Sequence, residues 1–241
     1  MRPFQPSQVA IRSGRSLRRQ LLRVLRMARD KRGVAAVEFA LILPFMLLLY
    51  LGSAELTYGL MANRKMTLVA RTLSDLTAQT TATAGVTSAE LTDIFTAAAA
   101  IISPYSATPL NMSISSIEFM PNTATPPVYD KARTKWTAVY TVGGVPKGVA
   151  RPCGATAITQ SPNTASPSST TMPAGLYGAG TVIIADVSYL YRPPFAGTFL
   201  AWSSSESTIN FSTTSYMRPR TQTEIAYGSA TVATGHTKCT Y

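Results

Sequence analysis

The chain has 241 residues, 46% of them hydrophobic, and a mean hydropathy of +0.11. This is enough for one membrane anchor and one modest globular domain. The formal net charge of +11 would suit nucleic acid, but ten of the 22 Lys and Arg residues precede residue 33, where only Asp30 opposes them. Because the excess positive charge is confined to this leader and no nucleic-acid-reading motif accompanies it, the composition argues against a nucleic-acid-binding protein.

The leader itself supports two interpretations. From residue 16 to residue 32, apolar residues recur at spacings of three and four among arginines. This pattern is typical of a basic amphipathic helix lying on an anionic membrane surface. The alternative is a flexible basic tail that serves only to orient the protein in the membrane.

An apolar run follows the leader and extends over residues 34–60. As a helix these 27 residues would be about 40 Å long, which exceeds the thickness of the hydrocarbon core. The run contains two ionisable residues, Glu38 near its start and Glu55 near its end. We therefore predict a single transmembrane helix.

A secretory signal peptide is the alternative to an anchor. Against it stand a leader of about 30 residues and an apolar run well beyond the usual 7 to 15 residues. The triplet Gly52-Ser53-Ala54 is only a weak cleavage signal. The sequence thus favours a retained anchor.

Charge on the two sides of the run predicts its orientation. Ten basic residues precede it, whereas Arg64, Lys65 and Arg71 follow it closely. Since the more basic flank stays in the cytoplasm, the body of the protein is expected on the opposite side of the membrane.

The two cysteines, Cys153 and Cys239, both lie in the exported part. An oxidising compartment would allow them to form a disulfide. The bond would close a loop of about 85 residues and contribute roughly 4 to 5 kcal/mol in the chain-entropy model. The alternative is two buried free thiols.

The exported part begins with helical patterns. Apolar spacings of three and four over residues 63–79 predict that the anchor helix continues beyond the membrane, and residues 77–85 predict a connector. A second helix is predicted from Ser88, capped by Ser88 itself or by Thr87, to Ile102. Pro104 should end it.

The remainder is rich in β-branched and aromatic residues, which predicts strands joined by turns and hence an antiparallel sheet in an α+β fold. Gly143-Gly144 marks a turn, and residues 154–180 are predicted to be a long exposed loop. We expect a basic cytoplasmic leader at 1–33, a transmembrane and extended helix at 34–80, and a periplasmic α+β domain at 81–241. The four to five strands are predicted at residues 111–120, 135–142, 181–191, 208–217 and, fifth, 224–233.

The start of the apolar run carries an unusual acid. Gly33 is followed by four apolar residues and then by Glu38. A lone carboxylate in a membrane helix costs at least a few kcal/mol, so its position needs an explanation. If the chain were cut after Gly33, the new amine of Val34 would lie one helical turn from Glu38, where the acid could offset it within one chain or between neighbouring chains.

The string from Arg32 to Pro44, RGVAAVEFALILP, resembles the TadE-like family of the tight-adherence (Flp) pilus assembly system. The resemblance implies a processing and assembly role for Gly33, Val34 and Glu38. Glu38 could instead be an interfacial or protonated acid without a role in processing. For Pro44, a tolerated kink is the simpler interpretation. The residues that match the family motif are Gly33, Glu38, Phe39, Ala40, Leu41 and Pro44.

The resemblance also implies the setting in which the protein works. It suggests a pseudopilin-like protein of the bacterial inner membrane, with its C-terminal domain in the periplasm. The implied partners are the prepilin peptidase, the pilus assembly platform and other pilins or pseudopilins. The alternative is a permanently anchored periplasmic adhesin or ligand-binding module that never enters a pilus.

The sequence contains few candidate catalytic residues. It contains a single histidine, His236, which we expect to be a solvated residue of the tail rather than a metal ligand. No nucleophile elbow, phosphate-binding loop or zinc-protease motif is present, so we predict no enzyme, no cofactor, no metal and no small-molecule substrate. Arg218 and Arg220, on either side of Pro219, could contact an anion or a partner's carboxylate; otherwise they are ordinary surface charges.

Overall fold

The computed structural model describes residues 33–81, 84–154, 158–195, 208–229 and 231–241. The predicted amphipathic helix of the leader lies outside these residues. The chain divides between Ala54 and Glu55 into two compact units.

The first unit contains the start of a long helix, α1 (Val34–Ala78), which includes Pro44. An 18-residue window of this helix has a mean hydropathy of 2.3, and none of that window is buried. Within the described part of the chain, α1 is the one helix long and apolar enough to span a membrane. This agrees with the prediction of a single apolar anchor.

In the second unit, α1 presents a buried stripe to the core. The buried positions recur at spacings of three and four, because that period places side chains on one side of a helix. This agrees with the helical pattern predicted for residues 63–79. The buried residues are Ala62, Met66, Val69, Ala70, Leu73, Ser74, Thr77 and Ala78.

The second helix, α2 (Ser88–Ala100), begins with a capping box. The backbone N–H of Glu90 donates to the hydroxyl of Thr87 at 3.2 Å, and the N–H of Thr87 donates to the Glu90 carboxylate at 2.8 Å. These two bonds satisfy N–H groups that a helix start otherwise leaves unpaired. The helix buries Leu91 and Phe95, and it ends two residues earlier than predicted.

The sheet confirms the predicted antiparallel α+β fold. The strands are β1 (Leu110–Pro121), β2 (Tyr129–Val142), β3 (Val145–Lys147), β4 (Thr159–Ser161), β5 (Thr171–Pro173), β6 (Thr181–Tyr191), β7 (Ile209–Met217) and β8 (His236–Lys238). Five of them lie in the order β3-β2-β1-β6-β7, and β8 also pairs with β2, so the sheet has six strands where four to five were predicted. The pair β4-β5 is a separate parallel ladder.

The two faces of the sheet bury separate clusters. Ile183 and Val187 of β6 pack in the cluster that includes α1 and α2, whereas Val182 and Ile184 belong to a smaller cluster. This follows from the two-residue period of a strand. Strand β2 has an extra residue opposite the step from Ser116 to Ile117 of β1, and at this bulge the apolar residues of β2 change from the first cluster to the second.

Residues 154–180 differ from the predicted exposed loop. They contain β4, β5 and a short 3-10 helix, Ala174–Leu176, and they bury Ile158 and Met172. These apolar side chains are scattered among Ser, Thr and Pro, so they lack a strand period. They nevertheless cover the second face of the sheet, which would otherwise expose apolar residues.

The predicted fifth strand at residues 224–233 is wrong. Ile225 and Tyr227 are buried, but among the described residues there only Tyr227 forms a bridge, to Val86. The last strand is β8, a few residues later. Ile225 and Tyr227 therefore pack in the core without belonging to a hydrogen-bonded strand. The turn predicted at Gly143-Gly144 is present, with positive φ at both glycines.

Candidate functional site

The family-like motif occupies the first turns of α1. The helix begins at Val34, directly after Gly33, and apart from Gly33 and its chain neighbours no atom of the described residues lies within 4 Å of where a Cβ of Gly33 would stand. Glu38 and Phe39 are exposed. The bond between Gly33 and Val34 is therefore not shielded by any described part of the chain.

The described part of the first unit, residues 33–54, exposes an almost entirely apolar surface. Every residue from 34 to 50 is exposed, and Glu38 makes no hydrogen bond or ion pair within the described residues. Such an area greatly exceeds the scattered apolar side chains of a soluble surface. It requires an apolar environment, which a bilayer supplies.

An apolar groove of about 430 Å³ lies in the second unit, where the first turns of α1 in that unit meet the ends of β6 and β7. The hydroxyl of Tyr105 donates to the carbonyl of Tyr58 at 2.9 Å beside it. The backbone N–H of Phe195 donates to the carboxylate of Glu55. The lining residues are Glu55, Leu56, Gly59, Leu60, Asn63, Tyr191, Pro193, Ile209 and Phe211.

Tyr191 is the buried polar residue of this apolar groove. Its hydroxyl has no hydrogen-bond partner within the described residues. Burial and, next, the neighbouring Glu55 carboxylate raise the pKa of Tyr191 to about 12, because both disfavour the phenolate. The side chain therefore remains a neutral hydroxyl at physiological pH.

A polar groove of about 460 Å³ lies on the second face of the sheet. Beside it, the buried Arg151 donates two hydrogen bonds of 2.9 Å to the carboxylate of Asp186, and a third of 3.0 Å to the carbonyl of Ser168. Thr214 donates to the same carboxylate at 2.7 Å. This fork geometry fixes both charges in place. Sequence analysis missed the pair, although an aspartate within the apolar strand β6 was a visible signal.

Arg218 and Arg220, the candidates for contact with an anion or a partner's carboxylate, have partners within the chain. Arg218 donates to the carbonyls of Ala179, at 2.9 Å, and Leu176, at 3.1 Å. Arg220 forms an ion pair with Asp75 of α1. Both side chains thus hold the segment after β7 against the rest of the second unit, and they do not converge on a common site.

Cys153 and Cys239 form a disulfide with Cα atoms 5.5 Å apart and a sequence separation of 86. The C-terminal residues are fixed further by Tyr241, whose hydroxyl donates to the carbonyl of Thr134 and whose ring lies 4.6 Å from the guanidinium of Arg133. The end of the chain is therefore part of the folded unit.

His236 is half-buried, which corrects the expectation of a solvated tail residue. Its Nδ1 lies 3.0 Å from the hydroxyl of Tyr227, which in turn lies 2.6 Å from the hydroxyl of Ser88. Burial lowers the pKa of His236. Within the described residues, no group of three or more His, Cys, Asp and Glu side chains could hold a metal ion.

These features define a class of protein with an exposed apolar anchor helix and a disulfide-bonded α+β head. Residues 33–74 match the family model described as TadE-like protein. The match begins at Gly33, contains every motif residue and extends along α1 to Ser74, so it confirms the resemblance found in the sequence. Comparisons with curated proteins and with solved structures gave no significant match.

Proposed function

We propose that the protein is a pseudopilin-like component of a tight-adherence (Flp) pilus assembly system, cut after Gly33 and acting through its membrane helix and periplasmic head. The observation that carries the proposal is the match to the TadE-like family model, which starts at the glycine of the processing motif. The open surroundings of that glycine support it, because a peptidase must reach the bond.

Cleavage would create a charged amine at the start of α1. The N-terminus of a helix already carries partial positive charge, so an added amine is unfavourable there. Glu38 lies one turn further along the same helix, where its carboxylate can offset that amine. The cost of placing an ionised acid in an apolar segment is thereby reduced, within one subunit or between two packed subunits.

The exposed helix would serve two environments in turn. Before assembly its apolar surface contacts lipid of the inner membrane, and after assembly it contacts the helices of other pilins or pseudopilins. The head lies in the periplasm, because the basic leader stays in the cytoplasm. The partners in this pathway are the prepilin peptidase and the inner-membrane assembly platform.

Mass spectrometry of the N-terminus tests the cleavage step. We expect a chain that starts at Val34 when the prepilin peptidase is present and at Met1 when it is absent. Gly33→Val should abolish the cut. Gly52→Val is the matched control, because both glycines have open space where a Cβ would stand, and it should leave the cut unchanged. An intact Met1 in the wild-type protein with active peptidase would overturn the proposal.

Replacing the acid tests the assembly step. Glu38→Ala should reduce the number of pili on cells while the protein still inserts into the membrane. Glu38→Asp, which keeps the carboxylate, should restore part of the assembly. Unaltered pili in the Glu38→Ala strain would show that the acid is merely interfacial.

A permanently anchored adhesin or ligand-binding module is the second candidate. The polar groove beside Arg151 and Asp186 favours it, as does the buried hydroxyl of Ser113 in its lining, which has no partner within the described residues. This candidate predicts an intact leader and no change of pilus number when the gene is deleted. The same mass spectrum therefore separates the two.

A further inference from the structure

We propose that the apolar groove holds an acyl chain of a phospholipid from the outer leaflet of the membrane that contains α1, so that this end of the head lies in the interfacial layer. The inference rests on the membrane anchoring and orientation in the proposed function, but not on cleavage or pilus assembly.

The lining of the groove is apolar, as the binding of a lipid acyl chain requires. Leu56, Leu60 and Ile209 are 66%, 51% and 46% exposed, so carbon atoms face outward along the groove. Gly59 leaves space beside the ring of Tyr191, since a Cβ at this position would lie in van der Waals contact with that ring, at 3.6 Å. The volume of about 430 Å³ is within the range of ligand-binding clefts.

The position along the helix matches the membrane interface. A hydrocarbon core of about 30 Å requires about 20 helical residues, whereas the apolar run 34–60 has 27. The last turns of the run, which include Leu56 and Leu60, therefore extend past the core. They need another apolar contact, because water would otherwise cover them.

Tyrosine side chains surround this level of the chain. Tyr58 and Tyr105 are joined by a hydrogen bond, and the ring of Tyr105 packs at 6.4 Å from that of Tyr191. Tyrosine is enriched at membrane interfaces, where its ring contacts acyl chains and its hydroxyl faces polar groups. The unpartnered hydroxyl of Tyr191 is suited to a glycerol or ester oxygen of a lipid.

A positive charge next to the lining matches a phosphodiester. Arg64 follows the lining residue Asn63 in α1 and is exposed. Glu55, the acid of the lining, accepts the N–H of Phe195. The guanidinium of Arg64 favours an anionic head group over the apolar helix of a second copy.

Site-specific photo-crosslinking in cells tests the occupant. A diazirine amino acid is placed at Ile209 in the groove, at Leu48 in the anchor, or at Val149, an exposed apolar residue of the head outside the groove lining. After irradiation, intact-mass spectrometry identifies adducts, and a non-reducing gel confirms the Cys153–Cys239 bond and hence a folded head.

We expect phospholipid adducts when the diazirine is at Leu48 or at Ile209, and far fewer adducts when it is at Val149. Adducts at Leu48 without any at Ile209 would overturn the inference and leave the anchor intact. No lipid adduct at Leu48 would overturn the anchoring itself. A crosslinked dimer at Ile209 in place of lipid would assign the groove to a second copy of the chain.

A charge in the groove gives an independent measurement. With the diazirine at Leu56, the Ile209→Glu variant should lose most of the lipid adduct, because a carboxylate resists transfer into an apolar layer. Val149→Glu is the matched control and should retain the adduct. Equal adduct yields in the two variants would contradict lipid binding by the groove.

Discussion

The two parts of helix α1 have the same backbone structure and opposite surroundings. Residues 34–50 are all exposed, whereas from Ala62 onward every third or fourth residue is buried against the sheet. The first part is apolar on all sides, and the second is apolar on one stripe. A helical pattern alone does not show what stabilises a helix. The width of the apolar surface does, because a helix that is apolar on all sides needs an apolar environment, whereas a helix with one apolar stripe packs against a core.

The difference separates two sources of stability. The head is stabilised by contacts within its own chain, so its free energy of unfolding should respond to changes in its core and cross-link. The anchor depends on an apolar environment, so changes there should affect membrane insertion instead. Four measurements, in detergent solution, test this separation.

The largest effect is expected from the disulfide. Replacing both Cys153 and Cys239 by serine should lower the free energy of unfolding of the head by about 4 to 5 kcal/mol in the chain-entropy model, because the bond closes a segment of 86 residues. Urea unfolding followed by near-UV circular dichroism measures the loss. Helix content of the anchor should not change. An unaltered midpoint would mean that the bond contributes nothing to the head.

A core leucine gives the next effect. Leu73 is fully buried, and Leu73→Ala should cost about 2 to 5 kcal/mol through lost burial and the cavity it leaves. Leu68, on the same helix, is 55% exposed, so Leu68→Ala is the matched control and should cost far less. Equal losses in the two variants would mean that this part of α1 does not pack as described.

A smaller effect is expected at the start of α2. Thr87→Ala removes the hydroxyl that accepts the N–H of Glu90, and the loss of such a cap costs about 1 kcal/mol. Thr87→Ser retains the hydroxyl and should recover most of the stability. Thermal unfolding of the three proteins measures the difference. If Thr87→Ser were as unstable as Thr87→Ala, the hydroxyl would not be the stabilising group.

The smallest effect depends on pH. Burial lowers the pKa of His236 in the folded head below the ordinary value of 6.5, while the unfolded chain keeps that value. As pH falls below about 6.5, the unfolded state binds the proton first, so stability decreases; above that pH the residue contributes no pH dependence. His236→Asn should remove this part of the decrease. An identical pH profile in the variant would exclude His236 as its cause.

The long elements were predictable from the sequence because each carries a strong pattern: a long apolar run in the anchor, a helical period in α2, and β-branched and aromatic residues in the strands. The anchor, α2 and three of the four long strands appear close to their predicted positions, whereas β2 starts at Tyr129, six residues before its predicted start. The sequence offered Ser88 or Thr87 as the cap, and Thr87 is the residue that caps the helix. The motif around Gly33 and Glu38 was also visible, because an acid inside an apolar run is conspicuous.

Other features depend on contacts between distant segments, which periodicity does not reveal. Ile158 and Met172 lie in a stretch with no strand pattern, yet both cover the second face of the sheet. Arg151 and Asp186 are 35 residues apart and meet only after folding. The apolar groove likewise joins α1 to the ends of two late strands.

The disulfide also limits how far the head can be stretched. If a filament or a surface pulled on α1 while the C-terminal residues were held, the segment between Cys153 and Cys239 could not lengthen. A sequence separation of 86 would otherwise supply about 290 Å of extended chain. Strands β6 and β7 lie within the segment closed by the disulfide. When the head unfolds, the bond therefore keeps the two ends of this segment together, and the two strands stay close enough to pair again.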